Sequence, residues 1–264
     1  VIMVASVGVN AIANYVLMFG KFGCPALGLA GAGWASTLVY WLMALGLLGY
    51  VLVQHPFNRF PIFQNLHHLD GETFRILLRI GLPIGGLSAL ETGLFSMTTF
   101  LAGQMGETVL AAHNIALQTA AITFMVPFGI SQATTVRVGQ VWGSRGLHAA
   151  RLAGYVGIST GTAFMGLMGL LMVTFPRAII SLYLDLNDPA NDAIIEVAIA
   201  LLTVAAMFQL FDGVQVITAG ALRGLQDTRV PMLVGLLAYW GVGMTSGYLA
   251  GFVLHLGGVG LWLG

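Results

Sequence analysis

Seven apolar stretches of bilayer-spanning length run through this chain, and they constrain its fold more than any other feature. They are Val1–Gly20, Gly28–Val53, Leu77–Gly103, Val109–Gly139, Ala150–Leu184, Asp192–Leu222 and Val230–His255, and an eighth begins near Gly258. A helix needs about 20 apolar residues to cross the hydrocarbon core, and only helices and closed barrels satisfy their backbone there. Barrel strands are about 10 residues long and alternate in polarity. These stretches are longer and do not alternate, so the expectation is an all-α, polytopic membrane protein. Only 8% of the 264 residues are charged, against roughly 25% in a soluble domain. The formal net charge is zero, which leaves no basic footprint for nucleic acid. The single cysteine, Cys24, has no internal disulfide partner and reads as a small apolar residue. The chain opens inside one apolar run and closes at the start of another, as an internal piece of a longer membrane protein would.

Charge separates by the parity of the connections. The turns after the second, fourth and sixth stretches hold Arg59, Arg75, Arg79, Arg137, Arg145, Arg151, Arg223 and Arg229, whereas the opposite side holds Lys21 and Arg177. Glu107, Asp185, Asp188, Asp192 and Glu196 fall on that opposite side. The positive-inside rule places the Arg-rich side in the cytoplasm. One cytoplasmic connection is longer than the rest: residues 54–74 carry Pro56, Pro61, His55, His67, His68, Asp70 and Glu72, the composition of a solvated linker. A lobe boundary is expected there. The histidines lack the spacing and the cysteine partners of a zinc site and are expected to be solvated.

A faint repeat joins the two ends. Tyr15 and Phe19 precede Leu27-Gly28-Leu29-Ala30-Gly31, as Tyr248 and Phe252 precede Leu256-Gly257-Gly258-Val259-Gly260. Parallel repeats of six helices are a transporter architecture, with substrate held near the midplane between them.

Two carboxylates break the apolar pattern. Apart from Glu91, residues 80–106 carry no formal charge, and apart from Asp212 neither do residues 197–222. An acid at the bilayer centre costs about 2.5–3.5 kcal/mol on insertion scales, so such groups mark function. Ser88, Glu91, Phe95 and Thr98 share a helical face by their spacing, as do Phe208, Gln209, Asp212, Gln215 and Ala219. Asn114, Gln118 and Phe124 extend the polar and aromatic set on the stretch between. These stripes meet only if the helices enclose a cavity; amides can instead bridge helices. An acid carried from water into an apolar cavity must hold a proton or a cation, and two acids facing one cavity repel unless one is neutralised. An organic cation would compete for the same charge, which is the minimum machinery of an antiporter. Pro83 and Pro127 lie inside spans and allow kinks. No G-x-x-x-x-G-K-[ST] phosphate loop occurs, and neither H-E-x-x-H nor G-x-S-x-G occurs.

Four segments carry a family resemblance: Pro83 to Glu91 (P-I-G-G-L-S-A-L-E), Ala111 to Leu117 (A-A-H-N-I-A-L), Val126 to Gly139 (V-P-F-G-I-S-Q-A-T-T-V-R-V-G) and Phe211 to Gly224 (F-D-G-V-Q-V-I-T-A-G-A-L-R-G). They resemble the multidrug and toxic compound extrusion (MATE) family in its NorM-type branch. The resemblance implies twelve helices in two lobes, of which this chain holds helices 5 to 11 and the start of 12. Residues 1–53 would then end the N-terminal lobe, 54–74 would be the cytoplasmic interlobe linker, and 75–264 would form a truncated C-terminal lobe. In that branch the acids matching Glu91 and Asp212 bind the coupling sodium. The residue four before the second acid is a Tyr in some members and Phe208 here, so one oxygen is missing and the ion's identity is open. Positions matching Phe95 and Phe124 lie near the cation in relatives. The expected activity is secondary transport, not enzymatic catalysis. The protein would export small organic cations by alternating access, driven by sodium, which is favoured, or by protons. No cofactor beyond that ion is expected. Glu91 and Asp212 would hold it, and Phe95, Asn114, Gln118, Phe124, Phe208, Gln209 and Gln215 would line the cavity. The expected setting is a monomer among the lipids of a bacterial inner membrane. Two alternatives fit less well. A lipid-linked precursor flippase should carry mid-span Lys or Arg for pyrophosphate, and an intramembrane aspartyl protease should carry a G-x-G-D motif; neither feature is present.

Overall fold

Every regular element among the described residues is helical. The computed structural model describes residues 2–23, 25–53 and 70–264. Cys24, His55, Arg59, His67 and His68, with the larger part of the expected linker, lie outside them. The chain divides into two compact units, Val1–Leu69 and Asp70–Gly264.

The first unit is an antiparallel pair, α1 (Ile2–Phe19) and α2 (Gly28–Val53). Only Gly31, Ala35 and Val39 of α2 are buried. Trp34 and Trp41 are 65% and 66% exposed within the chain. A helix apolar all round is the pattern of a membrane span.

The second unit begins at α3 (Gly71–Gln104), which starts earlier than hydropathy alone indicates because Asp70 caps it. The Asp70 carboxylate accepts the Glu72 amide at 3.0 Å, filling an orphan donor of the first turn, and also accepts the Thr73 hydroxyl. Next comes a helical run of 68 residues, Glu107–Thr174, broken at Gly146 with φ 77° and ψ −169°. Unbroken, 68 residues would reach about 100 Å, against ~30 Å of hydrocarbon. The break makes two spans, α4 (107–145) and α5 (147–174). By length and apolarity six helices can cross a membrane; dividing the long one gives the seven spans read from hydropathy. The expected loop at 140–149 is helix on both sides of Gly146. Arginines end a hydropathy window without ending a helix, whereas a left-handed residue ends the hydrogen-bond ladder. At the other end, α5 stops at Thr174, ten residues before the expected boundary, where Pro176 opens the short α6 (Pro176–Ile180).

The chain continues through α7 (Asp192–Gly224), α8 (Arg229–Val253) and α9 (Gly257–Leu263). In α8, Leu236–Gly243 and Leu249–Val253 wind as π-helix. The core lies where α4, α5 and α7 meet, on Ala112, Ala116, Met172, Leu201, Leu202 and Ala205. α7 closes on α4 through Gly220-Ala221-Leu222-Arg223-Gly224, a G-x-x-x-G spacing that lets backbones approach. The Thr135 hydroxyl donates to the Gly220 carbonyl at 2.8 Å, and Ser131 donates to Val216 at 2.7 Å.

The faint sequence repeat is a repeat of structure. Leu27 N–H donates to the Leu17 carbonyl at 3.0 Å, and Leu256 N–H to Ala250, the matching pair, at 3.1 Å. Gly28 and Gly257 hold the same left-handed conformation, with φ 54° and 58°. Gly31 and Gly260 lie against the backbones of Leu17 and Ala250. The ring pairs Tyr15–Phe19 and Tyr248–Phe252 stand 5.7 and 5.0 Å apart.

Candidate functional site

A cavity of about 360 Å³ opens in the second unit between α3, α7, α8 and α9. Glu91, Phe95 and Thr98 of α3 line it, with Phe208 and Asp212 of α7 opposite. The 3.6-residue helical repeat puts each set on one face, so packing α3 near α7 brings the two acids into one space. Leu94, Val204, Met207 and Phe211 make the walls largely apolar. Among the described residues, none that lines the cavity is Lys or Arg. The two carboxylates therefore have no fixed cation to offset them and must be neutralised by a proton or a mobile cation. Among the described residues, no three His, Cys, Asp or Glu side chains gather as a metal cluster.

One wall is a run of edge-to-face aromatic pairs. Phe95 and Phe208 stand 6.3 Å apart at 81°, and Phe208 and Trp262 stand 6.4 Å apart at 87°. Trp262, on α9, is held by His113 of α4, which is 1% exposed. The indole N–H donates to His113 Nδ1 at 3.0 Å. An indole N–H can only donate, so Nδ1 accepts and the ring proton sits on Nε2. His113 Nε2 then donates to the Thr99 hydroxyl at 2.9 Å, and Thr99 donates to the Phe95 carbonyl at 2.8 Å. The chain Trp262–His113–Thr99–Phe95 ties α9, α4 and α3 together behind the wall, with every polar hydrogen used.

The other expected residues sit elsewhere. Gln209 is buried and faces α4, not the cavity: its amide oxygen accepts the Thr123 hydroxyl at 2.6 Å, and its amide nitrogen contacts Met172 Sδ of α5. Asn114 and Gln118, one turn apart on α4, are exposed within the chain. Phe124 pairs with Phe128 at 6.1 Å, away from the acids. Gln215 lies beside the Tyr239 phenol. Ser88 is exposed.

Sequence reasoning missed His113, Trp262 and Tyr239, all of which line the cavity. A search for formal charge passes over a neutral His and over phenol and indole groups. A titratable His inside an apolar helix was the available signal.

The comparisons agree with this architecture. Residues 83–249 match the family model described as MatE. The chain is 44% identical over 263 residues to a protein named "Probable multidrug resistance protein NorM" from Synechocystis, covering 100% of this chain and 57% of that one. It is 43% identical over 263 residues to "Multidrug resistance protein NorM" from Burkholderia vietnamiensis, covering 56% of that protein. The chain thus spans little more than half the length of these curated relatives. Among solved structures, the crystal structure of the eukaryotic MATE transporter AtDTX14 superposes with a TM-score of 0.85 at 22% identity, over 98% of this chain and 56% of that one. The family match covers more than half of the chain, including both membrane acids, and the chain belongs to the MatE family of multi-pass membrane transporters.

Proposed function

We propose that the full-length protein exports organic cations by antiport against a coupling cation, and that Glu91 and Asp212 hold that cation. The observation that carries this reading is the convergence of the two acids in one apolar-walled cavity without a Lys or Arg partner. A site of that kind exchanges one positive charge for another: the coupling ion and the drug compete for the same carboxylates. Alternating access would come from rocking of two six-helix lobes about a central site, with the boundary at residues 54–74 and with Arg137, Arg145, Arg223 and Arg229 in the cytoplasm. The proposed setting is a monomer in a bacterial inner membrane. Phe95 and Phe208 would supply aromatic faces for cation–π contact. Asn114, Gln118 and Phe124 of α4 would line the translocation path beyond the acids and Gln215 would border it, whereas Gln209 is tied up between α4 and α5.

Sodium is favoured over protons as the coupling ion because of the NorM-type resemblance and the presence of both acids. Proteoliposomes decide between them. An imposed sodium gradient without a pH gradient should drive uphill movement of an organic cation, and sodium should protect Glu91 from carbodiimide at fixed pH. Transport driven by a pH gradient alone, with labelling indifferent to sodium, would show proton coupling instead. Failure of both gradients would sink the antiport reading.

A further inference from the structure

The cavity receives a further oxygen-bearing side chain from α8. Tyr239 of α8 lines it beside Glu91 and Asp212. Gln215 of α7 lies beside its phenol.

The placement has a local cause. Tyr239 and Trp240 sit in the π-helical stretch Leu236–Gly243. A π turn is wider than an α turn, is rare, and occurs frequently at functional sites. Here it is fastened to α3 beside the first acid. Trp240 donates its indole N–H to the carbonyl of Leu90 at 3.2 Å. Its ring closes on Gly93, where an added Cβ would meet it at 3.2 Å. Gly235 leaves room for Leu87 and the Tyr239 ring, a Cβ there standing 3.5 Å from that ring. Trp240 therefore fixes α8 against residues 90–93 of α3, and Tyr239, the residue before it, enters the space the two acids share.

The chemistry of the site favours a neutral oxygen at this point. Hard cations bind through several oxygens. Two carboxylates supply charge but repel each other. A phenol adds lone pairs without charge, and its hydroxyl can donate to a carboxylate. One turn before Asp212 the chain has Phe208, a ring without an oxygen. We propose that Tyr239 is a ligand of the cation site, oriented by Gln215, which favours an oxygen-coordinated ion over a proton; the proposal rests on the reading of Glu91 and Asp212 given above. A proton needs one carboxylate oxygen, whereas a metal cation needs several, so removing the phenol should weaken cation binding selectively.

The test measures binding of radioactive sodium, and proton uptake in sodium-free buffer, on the purified full-length protein in nanodiscs. Wild type should bind sodium, and Glu91→Gln should abolish binding. Tyr239→Phe should weaken sodium affinity about tenfold, a difference of about 1.4 kcal/mol, with proton uptake and melting temperature close to wild type. Gln215→Leu keeps the phenol but removes the amide beside it, and should show a smaller loss with the same selectivity. It carries the test alone if Tyr239→Phe does not fold. Wild-type sodium affinity in Tyr239→Phe, beside a dead Glu91→Gln, would overturn the role of Tyr239 and leave the acid pair standing. Sodium and proton binding weakened in equal measure would mark a structural residue and overturn it too. Indifference to Glu91→Gln would instead remove the acid site itself.

Discussion

The two faces of α7 are built in opposite ways. One face, with Gln209, Gly213, Gly220 and Gly224, is packed against α4 and α5 without room for another carbon. A Cβ on Gly220 would lie 2.7 Å from the Ser131 carbonyl, and one on Gly224 would lie 2.6 Å from the Thr135 carbonyl. The other face turns Phe208 and Asp212 to the cavity and Gln215 to Tyr239 of the π-helical stretch. Lipid tails are as apolar as Leu, so helices in a membrane associate through close packing and hydrogen bonds, not through hydrophobic burial. The small-residue face supplies that packing and fixes the position of α7. A helix anchored along one side can carry an uncompensated acid on the other, because the surrounding structure holds the acid where it would not sit by choice.

Substitutions on the two faces should therefore fail in different ways. The largest effect is expected at the cavity: Glu91→Gln or Asp212→Asn should reduce cation-driven efflux to the level of cells lacking the transporter, with membrane insertion and melting temperature unchanged. Wild-type efflux from a well-folded double variant would refute the ion site. On the packed face, Gly220→Leu drives a side chain into the α4 backbone and should cost about 3 kcal/mol or prevent folding. A normal melting temperature in detergent would show that the seam is not what holds α7. His113→Leu tests the join between the faces. It strands the Trp262 indole N–H and takes a donor from the Thr99 hydroxyl, which keeps its bond to Phe95, and should cost about 2 kcal/mol while loosening the aromatic wall. Near-UV circular dichroism would register the freed Trp262, and an unchanged spectrum would contradict the clasp. Thr135→Val should have the smallest effect, about 0.6 kcal/mol, the average for a hydrogen bond between membrane helices. A loss several times larger would mean that the hydroxyl, not the glycine spacing, sets the approach of α4 to α7.

The spans, their order and the two acids were legible in the sequence because each depends on local composition. A bilayer requires about 20 apolar residues per crossing, and a lone carboxylate in such a run is conspicuous. The shared cavity face of Glu91 and Phe95, and of Phe208 and Asp212, followed from helical spacing. Spacing could not decide which face of a helix meets which neighbour. Gln209 lies three residues before Asp212 yet turns into the α4–α5 interface, because a stripe read at 3–4 residue intervals is wide enough to touch two neighbours. The faint resemblance of residues 15–31 to 248–260 could be seen in the sequence, but only matching hydrogen bonds and glycine conformations made it a structural repeat.

Length and apolarity alone determined that this chain is a bundle of membrane helices carrying two acids, since the solvent acts on every residue through its own side chain. Only the tertiary structure decided that the acids share a cavity with Tyr239, that His113 is a fixed neutral link to Trp262, and that α8 winds as π-helix beside Glu91. Each of these depends on a contact between residues far apart in the chain, such as Trp240 with Leu90 or Trp262 with His113. Local pattern carries no information about such partners until the helices pack.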